Sequence, residues 1–276
     1  MAINFIIIMS LEQSKIEKPP ESEEKYIYVD FPENFPEKIR DFILDKVQLV
    51  YQEYPEMIDR LNDLRFSAAS LKELYYGDEK IGGFPLAYNA VDHKVYLNKD
   101  FNILEEMERS KSPLEKIRTE QNVIHELMHA ISYRKIEEGE PYLYCYSGVQ
   151  FSKGRGKVVK ERKREVLNEA ITNEFTFDIL RKKIIDPEER EIIEYSEAIS
   201  PGIRLFKALD NLIGRVVLFD AYFEGKIEEL YGALEQKGIN PRKLLGLIEK
   251  QNYKAAAEIL EKKAKKQNYD GERAAI

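Results

Sequence analysis

The segment Ile124-His125-Glu126-Leu127-Met128-His129 places two histidines four residues apart, with a glutamate directly after the first. On an α-helix, residues i and i+4 lie one above the other, so both imidazoles can reach one metal ion. Glu126 is too close in sequence to bind the ion comfortably beside His125, but its carboxylate can take a proton from a metal-bound water. We therefore predict His125 and His129 as metal ligands and Glu126 as general base.

The motif lies in a predicted helix with a clear start. Ser112-Pro113-Leu114-Glu115 combines an N-cap serine, a proline at the first helical position and a glutamate at N3, a pattern typical of a capping box. The helix is expected to extend to about Tyr133. Four residues form its apolar stripe: Ile124, Leu127, Met128 and Ile131. The two motif histidines flank this stripe, so the helix can bury its core face and present them at a cleft.

A third protein ligand is needed, because catalytic zinc generally has three protein ligands and a water. The chain has only 3 histidines. The remaining one, His93, lies upstream, and Lys135 occupies the position of the third histidine in the longer HExxHxxGxxH motif. We therefore expect a carboxylate, and the best candidate is Glu169.

Glu169 belongs to a second predicted helix, from Arg164 to about Lys183. It shares a helical face with small polar residues, namely Thr172, Asn173 and Thr176, whereas the opposite face is apolar. A solvated charged face would instead be rich in lysine, arginine and glutamate. The polar strip favours a buried carboxylate ligand, with His93 or another carboxylate as the alternative.

HExxH followed by N-E-A on a second helix resembles the gluzincins, the group that includes the thermolysin-like peptidases. The matching residues are His125, Glu126, His129, Asn168, Glu169 and Ala170. The resemblance covers roughly residues 84 to 183. It implies one Zn²⁺ per chain, a peptide or protein substrate, and an edge strand that pairs with that substrate by β-augmentation. Lys94–Asn98 would be this strand, with Val95, Tyr96 and Leu97 contacting the substrate.

Two details of the thermolysin-like pattern differ or stay open. Four residues after the ligand glutamate, where that group has an acid orienting a zinc histidine, this chain has Asn173, whose amide oxygen could take the same role. The group also uses a tyrosine or histidine to stabilise the developing oxyanion. The candidates are Tyr142, Tyr144, Tyr146, His93 and Tyr231. We take Tyr146 as the candidate to test.

The rest of the chain predicts an α+β, zincin-like fold in which a small mixed sheet with hairpins packs on the HExxH helix. Short apolar runs at Phe84–Tyr88 and Lys94–Leu97 indicate one hairpin, and Tyr142–Lys160 indicates a second hairpin or an extended loop. A mainly helical lobe follows. The expected organisation is a flexible tail over residues 1–25, a metallopeptidase domain over 26–237 and a C-terminal helical segment over 238–276.

Composition narrows the possible partners and compartment. The net charge of −7 and the pI of about 5.4 argue against nucleic-acid binding through a global positive field. No apolar run approaches the length of a membrane span, no signal peptide is evident, and the single cysteine, Cys145, excludes an intrachain disulfide. We therefore expect a cytoplasmic peptidase without a nucleic-acid or membrane partner.

Two other functions stay open. The first is a catalytically inactive, zinc-containing module that binds peptides, although such a module has no use for a base at Glu126. The second is a metal-free interaction protein that uses the charged helical C-terminal region. Metal content separates the second alternative from the others, and chelator-sensitive peptide cleavage separates the peptidase from the first.

Overall fold

The computed structural model describes residues 3–8, 26–33, 35–62, 64–69, 86–98, 112–155 and 158–274. Within these ranges the chain forms two small β-sheets, nine α-helices and one 3-10 helix, which confirms the α+β class. No helix in these ranges combines the length and the apolar character needed to cross a membrane.

The first sheet is mixed and consists of five strands. They are β1 (Ile3–Ile8), β2 (Tyr26–Phe31), β3 (Leu64–Ala69), β4 (Leu86–Asn89) and β5 (Lys94–Asn98). Their spatial order is β1-β2-β3-β5-β4, with parallel pairing in the middle and antiparallel pairing at both ends. The predicted hairpin is thereby confirmed as β4 and β5, while residues 84 and 85 of the predicted run lie outside the described residues.

The position of β5 corrects one prediction. β5 pairs with β3 on one side and with β4 on the other, so both of its backbone edges are occupied. Val95 and Leu97 are also buried. Among the described strands, β4 is the outer one at this end of the sheet, and a substrate strand cannot pair directly with Val95, Tyr96 or Leu97.

β1 corrects the prediction of a flexible tail over residues 1–25. Its run Phe5-Ile6-Ile7-Ile8 pairs antiparallel with β2, so the prediction is wrong for residues 3–8. Branched apolar side chains favour a pleated, partly covered sheet over solvated coil. Residues 9–25, which carry most of the predicted tail, lie outside the described residues.

The second sheet replaces the predicted second hairpin or extended loop. It is an antiparallel meander of four strands: β6 (Arg134–Gly139), β7 (Tyr142–Ser147), β8 (Gln150–Arg155) and β9 (Val158–Lys163). A hairpin within residues 142–160 is present as β7 and β8, but two flanking strands extend it. The charged sequence of β6 and β9 hides the alternation that a half-buried strand normally shows.

The helices account for more than half of the described residues. They are α1 (Glu37–Glu53), α2 (Pro113–Ile131), α3 (Glu165–Lys183), α4 (Pro187–Ile199), α5 (Pro201–Ile213), α6 (Arg215–Phe223), α7 (Ile227–Gln236), α8 (Pro241–Glu249) and α9 (Tyr253–Ala274), and a 3-10 helix covers Pro55–Arg60. Four of them begin with a proline at the first helical position, where its missing N–H costs no hydrogen bond.

Helix α2 is the centre of the fold. It packs against α1, α3 and β4, and all four residues of its predicted apolar stripe are buried. Burying a leucine or isoleucine side chain contributes about 1.5–3 kcal/mol, so this stripe fixes the rotation of the helix about its axis. Ser112 occupies the predicted N-cap position, but its side chain makes no capping bond.

The predicted C-terminal segment, residues 238–276, is helical over its described part but is not a separate unit. α8 packs on α3, and α9 packs on α5. Ile239, Leu244, Ile248 and Leu260 belong to the same buried cluster as the apolar stripe of α2. The core therefore extends continuously from the first sheet to α9.

Candidate metal centre

Helix α2 presents its two histidines side by side at the edge of its buried stripe. The Nε2 atoms of His125 and His129 are 3.0 Å apart. Their side chains are 15% and 10% exposed, so both rings are largely shielded from water while their Nε2 atoms converge on one point. The spacing of four residues produces this convergence, as the sequence predicted.

Helix α3 brings Glu169 to the same point. Glu169 Oε2 lies 3.0 Å from His125 Nε2, and Glu169 Oε1 lies 3.2 Å from His129 Nε2. Thr172 and Thr176 of the polar strip and the neighbouring Asn168 are fully buried, whereas the Glu169 side chain is 43% exposed, so the prediction of a buried carboxylate is wrong in this respect. This burial of short polar side chains is what positions the carboxylate against α2.

The three side chains fit a metal ion. Ligand atoms at about 2.0–2.1 Å from a tetrahedral ion lie roughly 3.3 Å apart. The observed separations between the three side chains are 3.0, 3.0 and 3.2 Å. Within the described part of the chain, His125, His129 and Glu169 are the group of potential ligands that could hold a metal ion. Two imidazoles and one carboxylate suit a divalent transition metal.

Glu126 is not one of these three ligands, and its carboxylate bonds the first sheet. Its Oε2 accepts a hydrogen bond of 2.6 Å from the backbone N–H of Tyr88 in β4. The N–H of Tyr88 is therefore directed away from β5 and out of the sheet ladder. This bond fixes the predicted base between the outer strand and the motif histidines, and it identifies β4 as the strand next to the centre.

The pKa values of the two glutamates are shifted in opposite directions. Burial raises the pKa of Glu126, and the nearby charges of His125 and His129 only partly oppose this effect. Burial also acts to raise the pKa of Glu169, but the charge of His129 and the hydrogen bonds from both histidines hold it well below the usual range. Glu169 is therefore the anionic partner of the histidines, and Glu126 holds a proton more readily.

His125 has support from outside the metal centre. Burial acts to lower its pKa, but the hydrogen bond and charge of Glu169 outweigh burial and raise it. Asn173 hydrogen-bonds His125 as well, and this bond favours the protonated ring. The role of Asn173 in orienting a metal-binding histidine stays a prediction.

His129 contacts a different set of partners at its second ring nitrogen. Asn168 Nδ2 and Thr172 Oγ1 each lie 3.4 Å from His129 Nδ1. The Tyr222 hydroxyl, contributed by α6, lies 2.8 Å from Thr172 Oγ1 and donates to the backbone carbonyl of Met128 at 3.1 Å. These contacts connect α2, α3 and α6 below the centre.

The candidates for oxyanion stabilisation have contacts with other residues. Tyr146 packs against the ring of Phe151, with centroids 5.3 Å apart. His93 Nδ1 bonds the Tyr88 hydroxyl at 2.9 Å, and the Tyr231 hydroxyl accepts from Arg164 at 3.1 Å. None of these contacts involves a metal-centre residue, so the role of Tyr146 stays a prediction.

Tyr142 and Tyr144 share a second environment. Both rings lie under the Lys153 ammonium group, at 4.1 and 5.7 Å from their centroids. In β7 they alternate with Cys145, whose proximity raises the pKa of Tyr88 after the larger effect of burial. The tyrosines therefore lie on the opposite face of β7 from Cys145.

Sequence reasoning missed three contributions to this centre. The backbone of Tyr88 carries no side-chain signal, and the order of strands that makes β4 the outer strand is not local information. Tyr222 looks like an ordinary apolar core residue of α6. The charge of Glu169 also acts on Tyr253, at the start of α9, and raises its pKa after the larger effect of burial.

Comparisons with protein-family models, with curated proteins and with solved structures gave no match.

Proposed function

We propose that this protein is a zinc-dependent metallopeptidase of the gluzincin type. The observation that carries the proposal is the convergence of His125, His129 and Glu169 to within 3.0–3.2 Å of one another, with the shielded carboxylate of Glu126 beside them. Catalytic zinc sites with two histidines and one glutamate keep one position open for water. A closed structural site would be expected to use cysteines, and the single Cys145 is not among these residues.

His125, His129 and Glu169 would hold the ion. When bound, zinc polarises a scissile carbonyl and makes a water molecule more acidic. Glu126 accepts the proton of the attacking water and delivers it to the leaving amine. The pKa of Glu126 is raised by burial, which makes it a better base than an exposed glutamate.

The substrate would be an extended polypeptide that pairs with β4. β4 is the last strand in its sheet order, and its Tyr88 N–H already lies at Glu126. Pairing at an outer strand holds a peptide through its main chain and brings its carbonyl groups past a fixed point. β4 therefore replaces β5 as the proposed substrate-binding strand.

The test is zinc content and peptide cleavage on purified protein. We expect about one zinc per chain, as for a single catalytic site, and a large loss of zinc in Glu169→Ala. Glu165→Ala is the matched control, because Glu165 lies one turn earlier on α3 and pairs with Arg162 instead. Chelator-sensitive cleavage of a peptide library supports the peptidase.

Each other outcome favours a different function. Full zinc without cleavage would favour the inactive peptide-binding module. Equal zinc in the Glu169→Ala variant and the unmodified protein would remove Glu169 from the ligand set. Absence of zinc in the unmodified protein after reconstitution would reject the metal centre.

A further inference from the structure

The Nδ1 atom of His129 must carry a hydrogen when Nε2 binds a metal, because a neutral imidazole has one N–H and one lone pair. That N–H needs an acceptor, and metal-binding histidines generally donate it to a carboxylate, a carbonyl or water. In the described part of the chain, two side chains lie at hydrogen-bond distance from this atom: Asn168 and Thr172, both at 3.4 Å.

Asn168 presents the wrong end of its amide for this role. Its Oδ1 accepts from the backbone N–H of Val149 at 3.0 Å, which fixes the amide orientation. The atom that faces His129 is consequently Nδ2, a donor. Two donors cannot share a hydrogen bond, so Asn168 does not satisfy a protonated Nδ1.

The close approach of Gly148 to the Asn168 side chain also fixes the orientation of the Asn168 amide. Gly148 has φ +57, and a Cβ at this position would lie 2.3 Å from Asn168 Oδ1 and 2.9 Å from the Tyr222 ring. The turn between β7 and β8 therefore approaches the Asn168 side chain as closely as a glycine allows. The amide of Asn168 serves this turn.

Thr172 has the capacity that Asn168 lacks. A hydroxyl has two lone pairs and one hydrogen. With the Tyr222 hydroxyl donating to the Met128 carbonyl, the Thr172 hydrogen goes to the Tyr222 oxygen at 2.8 Å. If the Thr172 hydrogen goes instead to the Asn168 backbone carbonyl at 2.9 Å, the Tyr222 hydroxyl donates to Thr172 rather than to Met128. In either arrangement a lone pair of Thr172 Oγ1 is left for His129, and the Tyr222 hydroxyl holds Thr172 from the other side.

We propose that Thr172, held by Tyr222, is the positioning residue that accepts the Nδ1–H of His129 and so directs the Nε2 lone pair to the metal. The proposal rests on the metal centre of the proposed function. The pair is uncharged and entirely buried, with Thr172 and Tyr222 both 0% exposed. Here two hydroxyl groups do what a carboxylate does in many zinc sites.

The experiment measures the dissociation constant for Zn²⁺ by competition with a chromophoric chelator. Thr172→Val keeps the shape of the side chain and removes the acceptor, and we expect at least about a tenfold loss of affinity, as for other groups that support a metal ligand. Thr172→Ser should restore most of it. Tyr222→Phe keeps the packed ring and should give a smaller loss in the same direction.

Thr176→Val is the matched control. Thr176 is also 0% exposed on α3, and its hydroxyl donates to the Thr172 carbonyl at 2.8 Å, one turn away from His129. The Thr176→Val variant loses the same kind of intrahelical hydrogen bond as Thr172→Val, but the altered side chain does not contact His129. We expect Thr176→Val to bind Zn²⁺ as the unmodified protein does, even if both variants unfold at a lower temperature.

Nitrogen-15 NMR of the zinc-loaded protein gives a second readout. We expect the Nδ1–H form of His129 in the unmodified protein, with the exchange of this proton accelerated in Thr172→Val. Zinc affinity unchanged in Thr172→Val, or reduced equally in Thr172→Val and Thr176→Val, would overturn the positioning role while leaving the metal centre intact. Failure of the unmodified protein to bind zinc would overturn both proposals.

Discussion

Two glutamates beside the same pair of histidines have opposite acid–base behaviour because their surroundings differ. Glu169 lies between the two Nε2 atoms, and the histidines hold its pKa well below the usual range although burial opposes this. Glu126 lies next to His125 in sequence but bonds Tyr88, and burial raises its pKa. Carboxylates whose pKa values are pushed apart in this way are suited to separate roles, one as a permanent anion and one as a proton carrier.

The substitution Glu126→Gln separates these roles. The glutamine amide cannot take a proton from water, so we expect peptide hydrolysis to fall by at least about 100-fold, the contribution typical of a general base. Zinc content should be unchanged, because Glu126 lies outside the three ligands. Glu138→Gln, at an exposed position of β6, is the control and should retain activity. Full hydrolysis in Glu126→Gln would refute the base.

Zinc affinity should depend on pH through His125. Protons compete with the metal for the imidazole, and the pKa of His125 without metal is raised, since Glu169 outweighs burial. A raised pKa means that the competing proton is bound at higher pH. As the pH is lowered, we therefore expect zinc affinity to begin to fall at a pH above about 6.5, the ordinary histidine pKa, and to continue to fall below it.

This pH dependence is measured as the zinc dissociation constant between about pH 8 and pH 5.5, a range that brackets the ordinary histidine value. Affinity that stays constant down to about pH 6 would contradict the raised pKa. The folding stability of the metal-free protein depends on pH in the opposite direction. His125 stabilises it fully below the unfolded-state pKa, and this contribution disappears as pH rises through the folded-state value.

At the scale of single elements, the helices that carry the centre could be predicted and the substrate strand could not. α2 and α3 are long, and their apolar and polar faces follow the helical period, so His125 and His129 could be predicted as ligands from their spacing and Glu169 from the polar face to which it belongs. The order β3-β5-β4 depends on pairing between strands distant in sequence. Local alternation of apolar and polar residues identifies a strand but not its neighbours. For this reason the sequence predicts β5, and not β4, as the edge strand.

The helices α1, α2 and α3 are joined behind the centre by a buried ion cluster. Glu120 of α2 bonds Lys46 of α1 at 3.2 Å and Lys183 of α3 at 2.9 Å. The side chains of Lys46 and Glu120 are only 3% and 10% exposed. Burial acts to raise the pKa of Glu120, but the hydrogen bond of Lys183 and the charge of Lys46 outweigh it and lower this pKa.

Removing the charge of Glu120 should therefore be costly. Glu120→Gln leaves Asp45 as the acidic partner of the buried Lys46 within the described part of the chain, and we expect a loss of about 3 kcal/mol in the free energy of unfolding. Glu115→Gln in the exposed first turn of α2 should cost less than about 1 kcal/mol. Chemical denaturation at neutral pH measures both.

The acid limb of the stability profile tests the same cluster. Because the pKa of folded Glu120 is lowered, its contribution is present above the unfolded-state pKa and is lost as pH falls through the folded value. The difference between the unmodified protein and Glu120→Gln should shrink in that direction. If the difference in unfolding free energy were independent of pH, or below about 1 kcal/mol at neutral pH, the ion cluster would not stabilise the fold.

At the scale of the whole molecule, the sequence predicts a boundary before the C-terminal segment, but the buried core extends across it. Gly238 and Pro241 separate α7 from α8, as their conformational preferences predict. These residues define a turn, however, and a turn does not reveal whether the next helix folds back. Apolar residues of α8 and α9 complete the same buried cluster that contains the stripe of α2. Whether a residue belongs to the core depends on contacts distant in sequence, and turn-forming residues such as glycine and proline give no information about those contacts.

A substitution in α8 tests whether the chain unfolds as one unit. Leu244 is 3% exposed and belongs to the shared core, so Leu244→Ala should destabilise the protein by about 2–5 kcal/mol. The neighbouring Leu245 is less buried, and Leu245→Ala should cost clearly less. If residues 238–276 formed an independent unit, Leu244→Ala would shift only one of two calorimetric transitions. With a continuous core we expect a single transition that moves as a whole, and zinc should be released in that same transition, because α8 packs on α3, the helix that carries Glu169.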